Sequence, residues 1–225
     1  TNFITRVNNT RIIFDYSDHL KSINTYSIGK LKCFKFHYHE KLADNFFPFP
    51  PMSFFDWDEY YHMINTLSID KQEFFLYRTR IYGKAVERRN TVKAFVDTIT
   101  DKCIKTDLVE QLQYFDDIKR AAGNIVIPGA REDIVDRSHM QSFGLNCLVI
   151  SPKINGVLPE KIRWEENVDY ISFDLNNPES LIESLDFVLS NPKKCQEISN
   201  NAYDKFKKYC TPSYLQGYIM DVINE

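Results

Sequence analysis

The stretch NIVIPGAREDIVDRSHMQSFGLNCLVISP, residues 124–152, decides the fold class of this chain. An apolar run at residues 125–127 stops at a Pro-Gly pair, and a charged loop then leads into a short helical pattern that ends at Gly144. A second apolar run, residues 147–150, stops at a Ser-Pro pair. Short apolar runs bounded by turn residues are typical of buried strands. The stretch therefore predicts a strand, a loop, a helix and a second strand.

Strand and helix patterns alternate through the rest of the chain from residue 73 onward. A helix is predicted to begin near Asp107, with Leu108, Leu112, Phe115 and Ile118 on its apolar face. Alternating strands and helices indicate a mainly parallel sheet covered on both faces. The other predicted segments are strands at residues 74–80 and 168–173 and helices at residues 84–100, 193–209 and 212–224.

The first 72 residues have a different texture. RIIFDYSD and KLKCFKFHYHE, at residues 11–18 and 30–40, predict two strands, and the prolines of FPFPP interrupt regular structure after them. So short a segment supplies only two or three strands. We therefore expect an abbreviated α/β half at residues 1–72, a Rossmann-like half at residues 73–212, and a C-terminal helix at residues 213–225 that packs back on the first half.

Composition excludes several classes of protein. The 225 residues are 43% hydrophobic and 26% charged, as in ordinary globular proteins, and a formal charge of -3 gives no basic stripe for nucleic acid. No apolar run reaches the ~20 residues that span a bilayer, and the N-terminus lacks a secretion signal, so we expect a cytoplasmic protein. Five widely spaced cysteines indicate reduced thiols. A start at Thr1 rather than Met suggests a module with further domains.

The loop of the 124–152 unit carries four charged candidates for ligand binding, Arg131, Asp133, Asp136 and Arg137. Ligands of open α/β sheets bind beyond the carboxyl ends of the strands, where this loop is expected. The unpaired N–H groups and the dipole of the following helix favour an anion there. The alternative is a set of surface ion pairs that binds nothing.

Arg78 and Arg80 follow the first strand of the second half. Two residues apart on a strand, they are expected on the same face, where both reach one anion. A guanidinium makes paired, charge-assisted hydrogen bonds that suit a diphosphate. Together with the loop, these arginines predict a site for the diphosphate of a nucleotide sugar. The alternative is the solvated basic start of a helix that also carries Arg88 and Arg89.

Three segments resemble the donor half of GT-B glycosyltransferases, especially the CAP10-like and exostosin-like group. They are GAREDIVDRSHMQSFGLNCLVISP, RTRIYGKAVERR and FDLNNPESLIESLDFVLSNPKKCQEISNNAYDKFKKYCTP, all within residues 74–212. IIFDYSDH and PFPPMSFFDW of the first half also resemble this group. The resemblance implies a GT-B-like α/β fold with two Rossmann-like halves and parallel sheets, of which the N-terminal half is abbreviated.

The same resemblance implies a UDP-sugar donor, an oligosaccharide or other glycan acceptor, and no required metal or cofactor. A further likeness, to the middle module of multidomain viral proteins that build rhamnose-containing glycans, implies UDP-L-rhamnose as the donor. Gln141 would stand near the position where retaining relatives have a ribose-binding glutamate. The predicted donor-binding residues are Arg78, Arg80, Tyr82, Gly129, Arg131, Asp136, Arg137 and Gln141.

A metal-independent, inverting transfer needs a general base within reach of the acceptor hydroxyl. Asp18 is the first candidate, followed by Asp15 and His19, because all three lie at the end of the first predicted strand. His37 and His39 end the second strand. For each of these residues the alternative is a structural role, as a capping carboxylate or a histidine with satisfied hydrogen bonds.

Other chemistry also has candidates. Asp56-Trp57-Asp58 matches the DxD signature that holds Mn²⁺ or Mg²⁺, but its place at a helix start favours a capping role. His37 and His39 share a strand face without the cysteines that would complete a zinc site. A non-catalytic nucleotide-sugar or glycan binding module is the alternative to an enzyme. In such a module a platform for sugar rings would consist of Phe47, Phe49, Phe54, Phe55 and Trp57. The alternative is that these aromatic residues belong to the hydrophobic core.

Overall fold

A computed structural model describes residues 2–16, 31–38, 42–51, 56–66, 71–81, 85–129 and 133–225. Within these ranges the chain is an α/β protein with two β-sheets and seven α-helices. None of the helices in the described ranges has the length and apolar character that crossing a membrane requires.

The first sheet has four strands in the order β1-β2-β3-β4. The strands are β1 (Asn2–Val7), β2 (Thr10–Asp15), β3 (Lys32–Lys35) and β4 (Phe46–Pro48). β2, β3 and β4 run parallel to one another, whereas β1 runs antiparallel to β2. The N-terminal sheet is therefore mixed, and it has four strands rather than the two or three expected, because β4 includes Pro48 of the FPFPP segment that was expected to be irregular.

The antiparallel β1 corrects the expectation that both sheets are parallel. Asn8 and Asn9 connect β1 to β2, and their φ angles are 47° and 65°. Asparagine tolerates positive φ, and two such residues in succession suit a two-residue hairpin. Val7 pairs with Thr10 directly across this turn. A two-residue connection can join only antiparallel strands, so β1 cannot be parallel to β2.

The second sheet has five parallel strands in the order β6-β5-β7-β8-β9. In chain order this is the doubly wound arrangement 2-1-3-4-5. The strands are β5 (Gln72–Leu76), β6 (Ile104–Lys105), β7 (Ala121–Ile125), β8 (Val149–Ser151) and β9 (Ile171–Ser172). The helices are α1 (Trp57–Thr66), α2 (Val86–Val96), α3 (Gln111–Arg120), α4 (Arg137–Gly144), α5 (Glu179–Ser190), α6 (Pro192–Tyr209) and α7 (Pro212–Asn224).

Helices cover both faces of the second sheet because its strands are apolar on both sides. Phe74 and Leu76 of β5 pack with α1, α3 and α4 in one core. Phe75 of the same strand points to the other face and packs with α2 and α5. α6 contributes residues to both cores. This confirms the prediction of a largely parallel sheet buried on two sides.

α7 and the segment after β8 join the first sheet to the rest of the chain. Val222 of α7 packs in a core with Ile12 and Phe34, and the Lys32 ammonium donates to the Val222 carbonyl. Val157 packs in a second core with Ile13. The two sheets are thus held together through apolar contacts at the end of the chain and at residue 157.

The second predicted helix of this half differs from the observed one. α3 begins at Gln111 rather than near Asp107, so Leu108 precedes the helix and Leu112 lies in its first turn. These leucines are 68% and 63% exposed, whereas Phe115 and Ile118 are buried. The predicted apolar face is therefore correct for its second half only, because Leu108 lies before the helix and Leu112, although helical, is exposed.

Candidate functional site

The candidate residues collect at the carboxyl edge of the second sheet. β5 lies between β6 and β7, so the strand order reverses between β5 and β7. Ligands of doubly wound sheets bind in the crevice at such a switch point. Residues 77–81 follow β5 and residues 126–129 follow β7 at this switch point.

Arg89 of α2 joins these two segments. Its guanidinium donates to the Arg80 carbonyl at 2.6 Å and to the Ile127 carbonyl at 3.1 and 3.3 Å. The Tyr77 hydroxyl in turn donates to the Arg89 carbonyl at 2.8 Å. A buried guanidinium that donates to carbonyls of both segments holds the two segments at a fixed separation.

Arg88 reaches the same loop from the neighbouring position of α2. Its Nη2 donates to the carbonyls of Pro128 and Gly129, both at 3.3 Å. The Arg88 Nε is buried and has no hydrogen-bond partner among the residues that the structure describes. Two adjacent guanidinium groups therefore surround the predicted site residue Gly129 with positive charge.

The N-terminus of α4 is closed by its own capping residue. The Asp136 Oδ1 accepts hydrogen bonds from the backbone N–H groups of Ser138 at 3.0 Å and His139 at 3.3 Å. The His139 Nδ1 in turn accepts a hydrogen bond from the Asp136 backbone N–H at 3.2 Å, which completes a capping box. This corrects the expectation of unpaired N–H groups, because a carboxylate occupies the place predicted for a phosphate.

Asp136 also sets the charge of this edge. Burial raises the pKa of the Asp136 carboxyl, but the hydrogen bonds and charge of His139 and the charge of Arg89 outweigh burial and hold that pKa below its usual value. The Arg89 Nη2 lies 3.9 Å from the Asp136 carboxylate. Asp136 therefore offsets part of the positive charge that Arg89 brings to this edge.

His139 ties α4 to the end of β8. Its Nε2 lies 2.8 Å from the Ser151 hydroxyl, which itself donates to the Pro152 carbonyl at 3.0 Å. Because the hydroxyl has a single proton, His139 Nε2 is the donor in this contact. His139 is completely buried and was not identified from the sequence.

The structure assigns Arg78 a different partner from the predicted diphosphate. Its guanidinium forms ion pairs with Asp117 and with Asp107, and its side chain is only 4% exposed. β5 ends at Leu76, so the strand alternation that placed Arg78 and Arg80 on one face does not apply. Arg80 is exposed, and its carbonyl accepts from Arg89.

Of the remaining residues predicted to bind the donor, the structure describes two. Arg137 is exposed at the first position of α4, whereas Gln141, one turn later, is buried. Tyr82 and Arg131 lie outside the described residues. Arg137 is thus the predicted arginine that stands at the loop and α4 junction with its side chain accessible.

The predicted catalytic Asp15 is also part of an ion pair. Its carboxylate lies 3.1 Å from the Lys35 ammonium, and both side chains are buried. The structure therefore gives Asp15 a buried ion pair within the first sheet, and its role as a base stays a prediction. Asp18, His19 and His39 lie outside the described residues.

The DxD and aromatic candidates have structural roles. Asp56 caps α1, since its Oδ1 accepts from the N–H groups of Asp58 at 2.9 Å and Glu59 at 3.0 Å. Within the described part of the chain, no group of three metal-binding side chains comes together. Phe47, Phe49 and Trp57 pack against the hydrophobic cores, while Phe54 and Phe55 lie outside the described residues.

Two cavities adjoin this edge. A wide cavity of about 530 Å³ lies beyond β8 and β9, and a narrow cavity of about 30 Å³ lies between the two sheets. Asp133 and Asn155 line both cavities. The Asn155 N–H donates to the Asp133 carbonyl at 2.7 Å, so these two shared lining residues are held together.

The wide cavity combines apolar and polar groups. Phe173 and Leu175 contribute apolar surface, Lys153 a positive charge, and Glu166 and Asp174 carboxylates. Ligand sites commonly have volumes of about 300–1,000 Å³ and this mixed character. The sequence reasoning missed these residues because they follow β8 and β9 in loops without a motif.

No protein-family model matches this chain, and comparison with curated proteins found no match in sequence.

Proposed function

We propose that this protein is a glycosyltransferase of GT-B architecture that transfers a sugar from a UDP-linked donor to a glycan hydroxyl. One observation carries the proposal: the carboxyl ends of strands from both sheets meet at one cleft. Residues 36–38 after β3 and 50–51 after β4 face residues 133–135 before α4 and 155–158 after β8. Carboxyl ends of parallel strands are the ligand-binding edges of α/β sheets, so donor and acceptor would meet there.

The donor would lie along the second sheet. The wide cavity has the size for a nucleotide sugar, and the carboxylates of Glu166 and Asp174 are acceptors for ribose or sugar hydroxyls. Arg88 and Arg137 lie outside the lining of the wide cavity, and they would supply the positive charge that a departing diphosphate needs. In this form of the proposal no metal is required, and UDP-L-rhamnose is the first donor to test.

A screen of donor binding tests the proposal. We expect UDP-sugars to raise the melting temperature of the protein, because a ligand that binds only the native state stabilises it. GDP- and dTDP-sugars are the comparison set. Arg137→Ala should abolish the shift, whereas Arg120→Ala should keep it. Arg120 is a surface residue in an i,i+4 pair with Asp116, at the opposite edge of the sheet.

The non-catalytic alternative, a nucleotide-sugar or glycan binding module, is favoured by one observation. Asp15, a candidate base, is neutralised by Lys35. Release of UDP from a UDP-sugar distinguishes the two proposals. Binding without UDP release, in the presence and absence of oligosaccharide acceptors, would favour the binding module.

A further inference from the structure

The narrow cavity between the two sheets has room for small groups only. It measures about 30 Å³. A water molecule needs roughly 10–15 Å³ of such space, so the cavity has room for two or three groups of that size. A sugar ring does not fit there, but one hydroxyl group does. The nucleophile of a glycosyl transfer is a single hydroxyl.

Three side chains that can exchange a proton line this cavity: His37, Tyr38 and Asp133. Residues such as Val135 and Trp164 make the rest of the lining largely apolar. The Asp133 carboxylate accepts from the Asn155 amide at 3.4 Å. Histidine is the side chain suited to accept a proton near neutral pH. His37 is only partly buried, follows β3 of the first sheet and lines the cavity together with Asp133.

The position of the cavity supports a role for it in the reaction. Asp133 and Asn155 line both the narrow cavity and the wide one proposed for the donor. An oxygen in the narrow cavity would therefore be a neighbour of the donor sugar. A general base must lie within hydrogen-bond reach of the attacking oxygen, and His37 lines the cavity that would hold this oxygen.

We infer that the narrow cavity holds the attacking hydroxyl and that His37 is the general base, an inference that rests on the proposed glycosyltransferase function. The oxygen forms a bond to the anomeric carbon while its proton passes to His37. The bond between the anomeric carbon and the diphosphate oxygen breaks, and the diphosphate leaves with the electron pair. Water fits the cavity as well as an acceptor hydroxyl does, so the protein hydrolyses its donor when no acceptor is present.

The experiment compares UDP release and donor binding in the whole chain. His37→Asn should lower kcat for release of UDP from a UDP-sugar by about 100-fold or more, the size of a general-base contribution. The donor-induced rise in melting temperature should stay unchanged. Added imidazole should restore part of the turnover of His37→Ala. The control is His62→Asn, an exposed histidine of α1 outside both cavities, which should leave turnover and binding unchanged.

The outcomes separate this inference from the proposed function. Wild-type kcat in His37→Asn, or no rescue of an impaired His37→Ala by imidazole, overturns the role of His37 while UDP release keeps the function standing. A wild-type protein that binds the donor without releasing UDP overturns the inference and favours a binding module. A wild-type protein that neither binds nor cleaves any UDP-sugar overturns both.

Discussion

Arg78 and Asp117 form an ion pair in which both side chains are almost fully buried, at 4% and 7% exposure. Lys105 approaches the same carboxylate at 3.2 Å. Burial raises the pKa of Asp117, but hydrogen bonds from Arg78, Gln113 and Lys105 outweigh burial and lower that pKa. Arg78 thus holds α3 against the end of β5, which is a structural role.

Arg78→Met should lower the free energy of unfolding by about 3 kcal/mol, because it leaves a buried carboxylate without its main partner. UDP-sugar binding should not change beyond what the lower stability causes. Urea unfolding and donor titration at a temperature where the variant is folded provide the two measurements. Asp107→Asn is the control, since Asp107 is 65% exposed and its pair with Arg78 should contribute less than about 1 kcal/mol. A stable Arg78→Met protein that no longer binds nucleotide would show that Arg78 contacts the donor.

Asp15→Asn should destabilise the protein by about 3–5 kcal/mol, because the Lys35 ammonium would stay buried without a counter-charge. The double variant Asp15→Leu with Lys35→Met should recover most of this loss, since two apolar groups of similar volume replace the pair. Thermal or urea unfolding of the three proteins checks both statements. A stable Asp15→Asn that has lost UDP release would instead show that Asp15 acts in catalysis.

Asp136 should make stability depend on pH in the acid range. Its pKa is lowered from 3.8 in the folded chain, so its contribution is fully present above the unfolded value and is lost as the pH falls through the folded value. Asp136→Asn keeps a good N-cap and removes the charge. The wild type should be the more stable protein at pH 6, and the difference should shrink as the pH falls below about 4. Urea unfolding at several pH values measures the difference in stability between the two proteins. A difference that stays constant with pH would contradict the lowered pKa of Asp136.

One of the five thiols should be reactive, and the other four should be protected by burial. Cys103 is exposed, whereas Cys33, Cys147, Cys195 and Cys210 are buried. Burial, with a smaller contribution from the charge of Asp15, raises the pKa of Cys33 to about 12, and burial raises the pKa of Cys195 to about 11. Because the thiolate is the reactive form, a thiol reagent should label one site quickly in the native protein and five after denaturation. Cys103→Ser should remove the fast reaction, and a second fast thiol would contradict the packing.

Local signals predicted α4 well and the charge pairs poorly. Asp136 at the start of the helix and Gly144 at its end are short-range features, and α4 runs from Arg137 to Gly144 as expected. The partner of Arg78 is Asp117, 39 positions away, and no periodic pattern connects them. The sequence shows where charged residues occur. Whether a charged side chain can bind a ligand depends on whether a residue distant in sequence pairs with it. The same limit applies to Asp15 and Lys35.

Short strands were missed for a different reason. β6 has two residues, and β1 depends on the Asn8-Asn9 turn more than on its own apolar pattern. Neither gives an apolar run long enough to be distinguished from a loop. His37 was recognised as a strand-end histidine, but its place with Asp133 in the lining of the narrow cavity follows from the contact between the two sheets. That contact involves residues 157 and 222, which no local motif could indicate.

Gly156 and Gly217 offer a matched test of the packing around the narrow cavity. A Cβ at Gly156 would lie 2.3 Å from Val135 Cγ2 and 3.2 Å from Trp164 Cδ1, whereas a Cβ at Gly217 would meet nothing within 4 Å. Gly156→Ala should therefore cost about 2 kcal/mol of stability through overpacking. Gly217→Ala, in the middle of α7, should gain about 0.5–1 kcal/mol because alanine favours a helix.

The same pair of variants tests the cavity itself. Val135 and Gly156 both line the narrow cavity, so the displacement of Val135 in Gly156→Ala should also lower UDP release. Gly217→Ala should leave UDP release unchanged, because Gly217 lines neither cavity. Melting temperatures and single-turnover UDP release, measured below the melting range of both proteins, separate the effect on stability from the effect on the reaction. A Gly156→Ala protein with wild-type melting and wild-type turnover would mean that residues 135 and 156 are not packed as closely as described.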